Sequence, residues 1–265
     1  MKRIGFFCCL IVGMSSLFAA EPAPTPVTQT RELFNGKDFT NWYTWVRGTG
    51  KNNDPKGVFT IQDGCIRVSG EEFGCITTEE AFENYRIDVE FRFGTQTWGN
   101  RKEKARDSGL LIHSVGADGA FGGIWMKSVE ANIVEGGIGD FWIVGSQGQG
   151  VRGTCRVRQT NAGKVFDPAG EAVTITGNEQ GCFQWSGRDP HWKDTLGFRG
   201  ANDLDKPNDW NTLTVVADGD QMTVYLNGTR VNEITNVLPQ CGKIQLQSEG
   251  AEIFFRRVTL RPLTR

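Results

Sequence analysis

Two carboxylates five residues apart, Glu130 and Glu135, flank an amide, Asn132, in the run Trp125-Met126-Lys127-Ser128-Val129-Glu130-Ala131-Asn132-Ile133-Val134-Glu135-Gly136-Gly137. One of only two histidines, His113, closes the earlier run Asp107-Ser108-Gly109-Leu110-Leu111-Ile112-His113, and a third carboxylate follows a glycine turn in Gly139-Asp140-Phe141-Trp142. Carboxyl and imidazole groups exchange protons near neutral pH. General acid–base chemistry is therefore the first expectation, with Glu130, His113 and Glu135 as its catalytic candidates.

Strand geometry decides which of these can meet. On a regular strand Glu130, Asn132 and Val134 share one face, while Val129, Ala131 and Ile133 share the other and belong to a core. Glu130 and Asn132 should leave the core together. Glu135 has the wrong parity unless a bulge re-aims it, and the following Gly136-Gly137 makes such an irregularity cheap. The pattern Glu130-Ala-Asn132-Ile-Val-Glu135 resembles the Glu-x-Asp-x-x-Glu strand of laminarinase-type retaining β-glucanases, with Asn132 in place of the middle Asp. A retaining pair needs carboxyl groups about 5–5.5 Å apart. Without such a pair, Glu130 and Glu135 read as solvated or salt-bridged strand residues.

The remaining candidates bind rather than react. Asp140 can orient a histidine, bind a cation or simply cap its turn. His191, in Asp189-Pro190-His191-Trp192-Lys193, can form a platform for sugar rings with Trp192 and with Trp185, unless Trp185 is core. Trp125 and Trp142, beside the carboxylates, are further substrate-binding candidates.

The elements that must position these groups are strands. Residues 85–93 alternate cleanly, with Tyr85, Ile87, Val89, Phe91 and Phe93 on one face and Arg86, Asp88, Glu90 and Arg92 on the other, which marks a half-buried strand. Further strands are expected at 110–113, 128–135, 210–217, 222–226, 243–248 and 252–260, with Asn227-Gly228 as a type I′ hairpin turn. The 34 glycines and recurring Asn and Asp between short apolar runs, with no long helical period, favour one large all-β domain. Two antiparallel sheets packed over a common core leave an outer face where a glycan can lie. The formal charge of −2, with acidic and basic residues interspersed, shows no footprint for nucleic acid or an anionic membrane.

Residues 1–20 carry Lys2 and Arg3, an apolar run and Ala19-Ala20, the three parts of a secretory signal. A periplasmic or secreted protein is expected, not membrane-bound once the signal is removed. The proline-spaced stretch 21–31 reads as an extended linker, and the domain as 32–265. Five cysteines follow the signal, Cys65, Cys75, Cys155, Cys182 and Cys241, an odd number without zinc spacing. Cys65 and Cys75 flank an expected hairpin, so a cross-strand disulfide and a pair of buried thiols both remain open. No loop has a recognisable calcium-ligand spacing, and a divalent cation is left open as a cofactor.

Several stretches resemble one family, the 3-keto-disaccharide hydrolases or 3-keto-glucoside lyase/hydratase domains. Leu33-Phe34-Asn35-Gly36-Lys37-Asp38 with Trp42 resembles its opening, Asp107-Ser108-Gly109 its central strand start, and Ser128-Val129-Glu130-Ala131-Asn132-Ile133 its Glu-x-Gln strand. Asp209-Trp210-Asn211 with Leu226-Asn227-Gly228 resembles its late hairpin. Gly242-Lys243-Ile244-Gln245-Leu246-Gln247-Ser248-Glu249-Gly250 and Phe254-Phe255-Arg256-Arg257-Val258 resemble its closing strands. The resemblance implies a concanavalin A-like jelly roll acting on glycosides whose C3 hydroxyl has been oxidised to a ketone, and hence an upstream sugar 3-oxidoreductase as a partner. Within it, Glu130 becomes base or metal ligand, His113 the proton-transfer partner, and Glu135 or Asp140 the acid or ligand. The chain departs from the family at Asn132, in the insertion 95–104 with Trp98 and a basic run, and over 152–199. A retaining glucanase and a non-catalytic carbohydrate-binding module are the alternative readings.

Overall fold

A computed structural model describes residues 23–264. The expected signal, residues 1–20, lies outside the described residues. Sixteen strands of four residues or more carry the fold among those described. In chain order they are β1 (Trp42–Val46), β2 (Phe59–Gln62), β3 (Cys65–Val68), β4 (Gly74–Thr78), β5 (Tyr85–Thr97), β6 (Asp107–Val115), β7 (Lys127–Val134) and β8 (Phe141–Val144). Then follow β9 (Arg152–Thr160), β10 (Gly163–Phe166), β11 (Glu171–Ile175), β12 (Asn211–Asp218), β13 (Gln221–Leu226), β14 (Thr229–Leu238), β15 (Lys243–Ser248) and β16 (Ala251–Pro262). No α-helix occurs among the described residues.

The front sheet runs β1-β4-β15-β6-β7-β8 and the back sheet β2-β3-β16-β5-β12-β13-β14, every neighbouring pair antiparallel. The chain is thus an all-β, concanavalin A-like jelly roll of two packed sheets. β9, β10 and β11 form a smaller ladder that joins the back sheet through β14. One core fills the space between the layers: Leu110, Ile112, Val129, Ala131 and Ile133 from the front meet Ile87, Val89, Val215 and Val258 from the back. Each of the Val, Leu and Ile side chains among them, withdrawn from water, contributes about 1.5–3 kcal/mol.

The proline-spaced stretch is not a free linker. Thr25–Pro26 pairs in parallel with Phe82–Glu83, Arg31–Glu32 pairs with β16, and Val27 is buried in the core cluster. Edge backbone that would otherwise stay unpaired receives these residues, which composition alone did not reveal. Asn227 (φ 50°) and Gly228 (φ 85°) make the tight turn between β13 and β14, as their types require.

Candidate functional site

Glu130 and Asn132 project from the outer face of the front sheet, and cross-strand register collects their neighbours. Gly109 lies opposite Asn132, Leu111 opposite Glu130 on one side and Trp142 opposite Glu130 on the other. Residues 116–126 cover part of this face. Tyr43 donates to Asp118 (2.8 Å), Trp45 Nε1 to the Gly123 carbonyl (3.2 Å), Trp125 Nε1 to the Gly74 carbonyl (3.2 Å), and the Met126 amide to Gln245 (3.2 Å). What remains is a hollow of about 290 Å³, walled by Phe121, Trp125, Trp142 and Val144 and carrying Asp107, Glu130, Asn132, Glu249, Arg101 and Asn178.

Two glycines make room for this constellation. A Cβ on Gly109 would fall 2.3 Å from Glu130 Oε1 and 2.5 Å from Gln247 Oε1, so the bare backbone is what lets both side chains lie over the strand. Gly250 (φ 80°) follows β15 and packs against Arg101, whose Cγ would stand 2.7 Å from a Cβ there. The insertion 95–104 docks on the same turn: Trp98 donates its amide to the Gly250 carbonyl (2.8 Å) and its indole to Ser69 (2.9 Å). The short turn Gly99–Arg101 then carries Arg101 into the hollow, where it pairs with Asp107 and stands 3.7 Å from Glu249 and 3.2 Å from Asp194.

Three carboxyls thus share one lining guanidinium. Burial pushes the Glu130 carboxyl well above its usual range, and the charges of Glu249 and Asp107 add to the rise. Asp107 is raised for the same reasons, with Arg101 opposing. Glu249, whose side chain keeps 21% of its exposure at the mouth, is raised to about 7 by burial against the pull of Arg101. Burial and mutual repulsion both favour proton retention, so these carboxyls give up their protons less readily than free ones and not all together. Several polar atoms have no partner: Asp107 Oδ1, Asn132 Oδ1 and both amide atoms of Gln247. The Gln247 amide lies against Glu130 and lowers its pKa slightly, but it reaches no hydrogen bond of acceptable geometry. Buried polar groups left open in this way are aimed at a ligand or water.

Glu130, Asn132, Trp125 and Trp142 are the expected site residues that meet in this hollow; the others stand elsewhere. His113 falls at an irregularity of β6, with φ 54°, and turns into the core. There its ring meets Tyr85 edge-on at 5.6 Å, and Nδ1 lies 3.0 Å from the Pro239 carbonyl. Burial pushes its pKa down to about 4, which favours the neutral ring near pH 7, and His113 is not among the residues lining the hollow. Glu135 is not re-aimed, because the β6–β7 register runs unbroken from Asp107/Val134 to Ile112/Val129. Its carboxylate is engaged by Arg106 (2.5 Å) and the Gly197 amide (3.0 Å). It is not among the residues lining the hollow that carries Glu130, so the structure does not gather the two there as a glucanase pair.

Asp140 neither orients a histidine nor faces the hollow. It accepts from the Trp185 amide and from Arg188 Nη1, both at 2.8 Å, and so holds the start of the loop 186–210. Trp185 is a core residue, its indole bonded to the Gly136 carbonyl (3.2 Å). Trp192 donates to the Glu135 carbonyl (2.8 Å) under Arg188 (4.2 Å), and His191 is exposed on that loop. They form no platform at the site. Among the described residues Cys65, Cys75, Cys155 and Cys182 form no disulfide, and Cys65 and Cys75 belong to different sheets, so the bridge between them does not form. Among the described residues no three His, Cys, Asp or Glu side chains are grouped to hold a metal ion, and no helix is long and apolar enough to cross a membrane.

Arg101, Asp107, Glu249 and Gln247 were not singled out from the sequence. Asp107 and Gly109 share parity, and Gln245, Gln247 and Glu249 alternate in the same way, so each strand held the signal. Only the pairing of β6 with both β7 and β15 puts the two patterns side by side. Nothing in the insertion distinguishes Arg101 from the neighbouring Lys102 and Lys104.

Residues 29–261 match the model of the 3-keto-alpha-glucoside-1,2-lyase-like domain family. The chain belongs to that family. No curated protein matches it. Among solved structures, a candidate glycosyl hydrolase from Parabacteroides distasonis is 17% identical over 89% of this chain and 94% of its own, with a TM-score of 0.51. A second from the same organism is 18% identical over 89% and 100%, with a TM-score of 0.49. The carbohydrate-binding module CBM66 from Bacillus subtilis is 14% identical over 90% and 99%, with a TM-score of 0.41. At such identities the first likeness shows a shared fold, and the other two carry no argument.

Proposed function

We propose that the protein cleaves 3-keto-glucosides or 3-keto-disaccharides by elimination followed by hydration. A ketone at C3 acidifies the C2 proton. A carboxylate removes that proton, its electron pair forms the C1–C2 double bond, and the C1–O bond breaks as the leaving oxygen takes a proton. Water then adds back, hydroxyl to C1 and proton to C2, for net hydrolysis. The chemistry needs a base and an acid within one sugar ring of each other and a positive group near the ketone oxygen. Glu130 and Glu249 are assigned as the pair of carboxyls that take and return the protons, and Arg101 as the polarising charge.

The observation that carries the reading is the gathering of three buried carboxyls, Asp107, Glu130 and Glu249, around one guanidinium in a hollow with tryptophan walls. Family membership supports the substrate class. Export through the N-terminal signal and supply of substrate by a sugar 3-oxidoreductase belong to the same proposal. The test is incubation of purified protein with 3-keto-trehalose and 3-keto-lactose, with and without chelator, following release of the free sugar. Glu130→Gln should lower the rate by at least about 10²-fold. Unchanged turnover in that variant, or none in the wild type under either condition, overturns the reading; loss on chelation alone adds a cation.

A further inference from the structure

The hollow contains a single cation, and that cation is already taken. Among the described residues Arg101 is the only Lys or Arg in its lining. Its guanidinium pairs with Asp107, lies 3.7 Å from Glu249 and, on its outward side, 3.2 Å from Asp194. Asp194 is not part of the lining. It comes from the long loop 186–210, is anchored by Lys104 at 3.2 Å, and has next to it the Leu196 amide bonded to the Glu103 carbonyl (3.1 Å). The loop therefore grips the insertion that carries Arg101, and a carboxylate outside the hollow holds one edge of the guanidinium.

The groups left open inside are of the opposite kind. Asp107 Oδ1 and Asn132 Oδ1 are buried acceptors without partners, and behind the lining, against Glu130, the Gln247 amide is also unpaired. Asp107 is 5% exposed, Asn132 7% and Gln247 0%, so a bound ligand or an ordered water, not bulk solvent, must satisfy them. Such a lining is complementary to hydroxyls, which donate as well as accept. A carboxylate only accepts, and it would enter among three carboxyls with no free cation to receive it.

The geometry points to Asp194 as a positioning residue that makes this site select uncharged sugar rings and reject uronates, by keeping Arg101 Nη1 paired so that the guanidinium has no free edge for an incoming carboxylate. The inference depends on the proposed sugar site but not on its chemistry, so it is tested by binding of unoxidised ligands. Calorimetric titration of the full chain with methyl glucoside and with methyl glucuronide should show the glucoside binding at least about tenfold more tightly. Asp194→Asn should narrow that gap about threefold or more by freeing Arg101 Nη1, and Asp194→Glu should restore it. A purely structural loop residue would weaken both ligands alike. Equal or tighter binding of the glucuronide by the wild type, binding of neither ligand, or an unchanged gap in Asp194→Asn overturns the inference. Failure of keto-sugar turnover with the gap intact would instead remove the proposed reaction alone.

Discussion

Gly109 lies directly beneath the Glu130 carboxyl, with only 2.3 Å between the place its Cβ would occupy and Glu130 Oε1. The clash of a Gly109→Ala side chain is with the tips of Glu130 and Gln247, which can swing away, so the fold should lose only about 1 kcal/mol. The site should lose far more. A carboxyl displaced by an ångström costs on the order of 10²-fold in rate. Circular dichroism and thermal unfolding close to wild type, with kcat/KM for 3-keto-trehalose down by about that factor, is the expected pair of results. A variant that turns over normally would show that Glu130 does not act from this position.

Glu135 should prove structural. Its carboxylate is buried against Arg106 and accepts from two backbone amides, of Arg106 and Gly197. Glu135→Gln leaves the Arg106 guanidinium without its charge partner, which for a buried pair costs about 3–5 kcal/mol. Urea unfolding should register that loss, while turnover per folded molecule stays within about twofold of wild type. A selective collapse of kcat with unchanged stability would return Glu135 to the active site.

Glu249 should make the folded state less stable as pH rises. Its pKa is raised from 4.5 to about 7, so below 4.5 both folded and unfolded chains hold the proton and nothing is lost. Between 4.5 and 7 the unfolded chain releases it first, and stability falls. Glu249→Gln removes this slope and should gain about 1–3 kcal/mol over wild type at pH 8 relative to pH 4, measured by denaturant titration. Removing a like charge also lowers the pKa of Glu130, so the acidic limb of the kcat/KM profile should move to lower pH in whatever activity remains.

His113 imposes the opposite slope. Its pKa is lowered from 6.5 to about 4, so the unfolded chain takes up the proton first as pH falls. The stability it supports is complete above 6.5, erodes between 6.5 and 4, and is constant below that. Asparagine tolerates the φ of 54° found here and can still donate to the Pro239 carbonyl. His113→Asn should therefore lose about 2–3 kcal/mol less stability than wild type between pH 7.5 and 4.5. Identical pH dependence would mean that this imidazole is not buried as described.

The architecture was legible in the chain because a strand writes its burial as a period of two. The alternation at 85–93, the core parity of Val129, Ala131 and Ile133, and the Asn227-Gly228 turn are local properties, set by backbone sterics and side-chain type. Glu130 and Asn132 could be placed on an outer face from the same periodicity. Proximity along the chain misled at His113, where one residue of positive φ turned the imidazole through the sheet into the core. It misled again at Glu135, whose unbroken register kept it away from Glu130. Arg101, Asp107, Gln247 and Glu249 come from an insertion, a strand start and a strand 140 residues further on. No period links them, since cross-strand pairing is a long-range choice made by the whole core. The sequence by itself determined the strands, their buried faces and one carboxylate of the site; the tertiary structure alone decided which other charges stand beside it, because their field acts through space and not along the backbone.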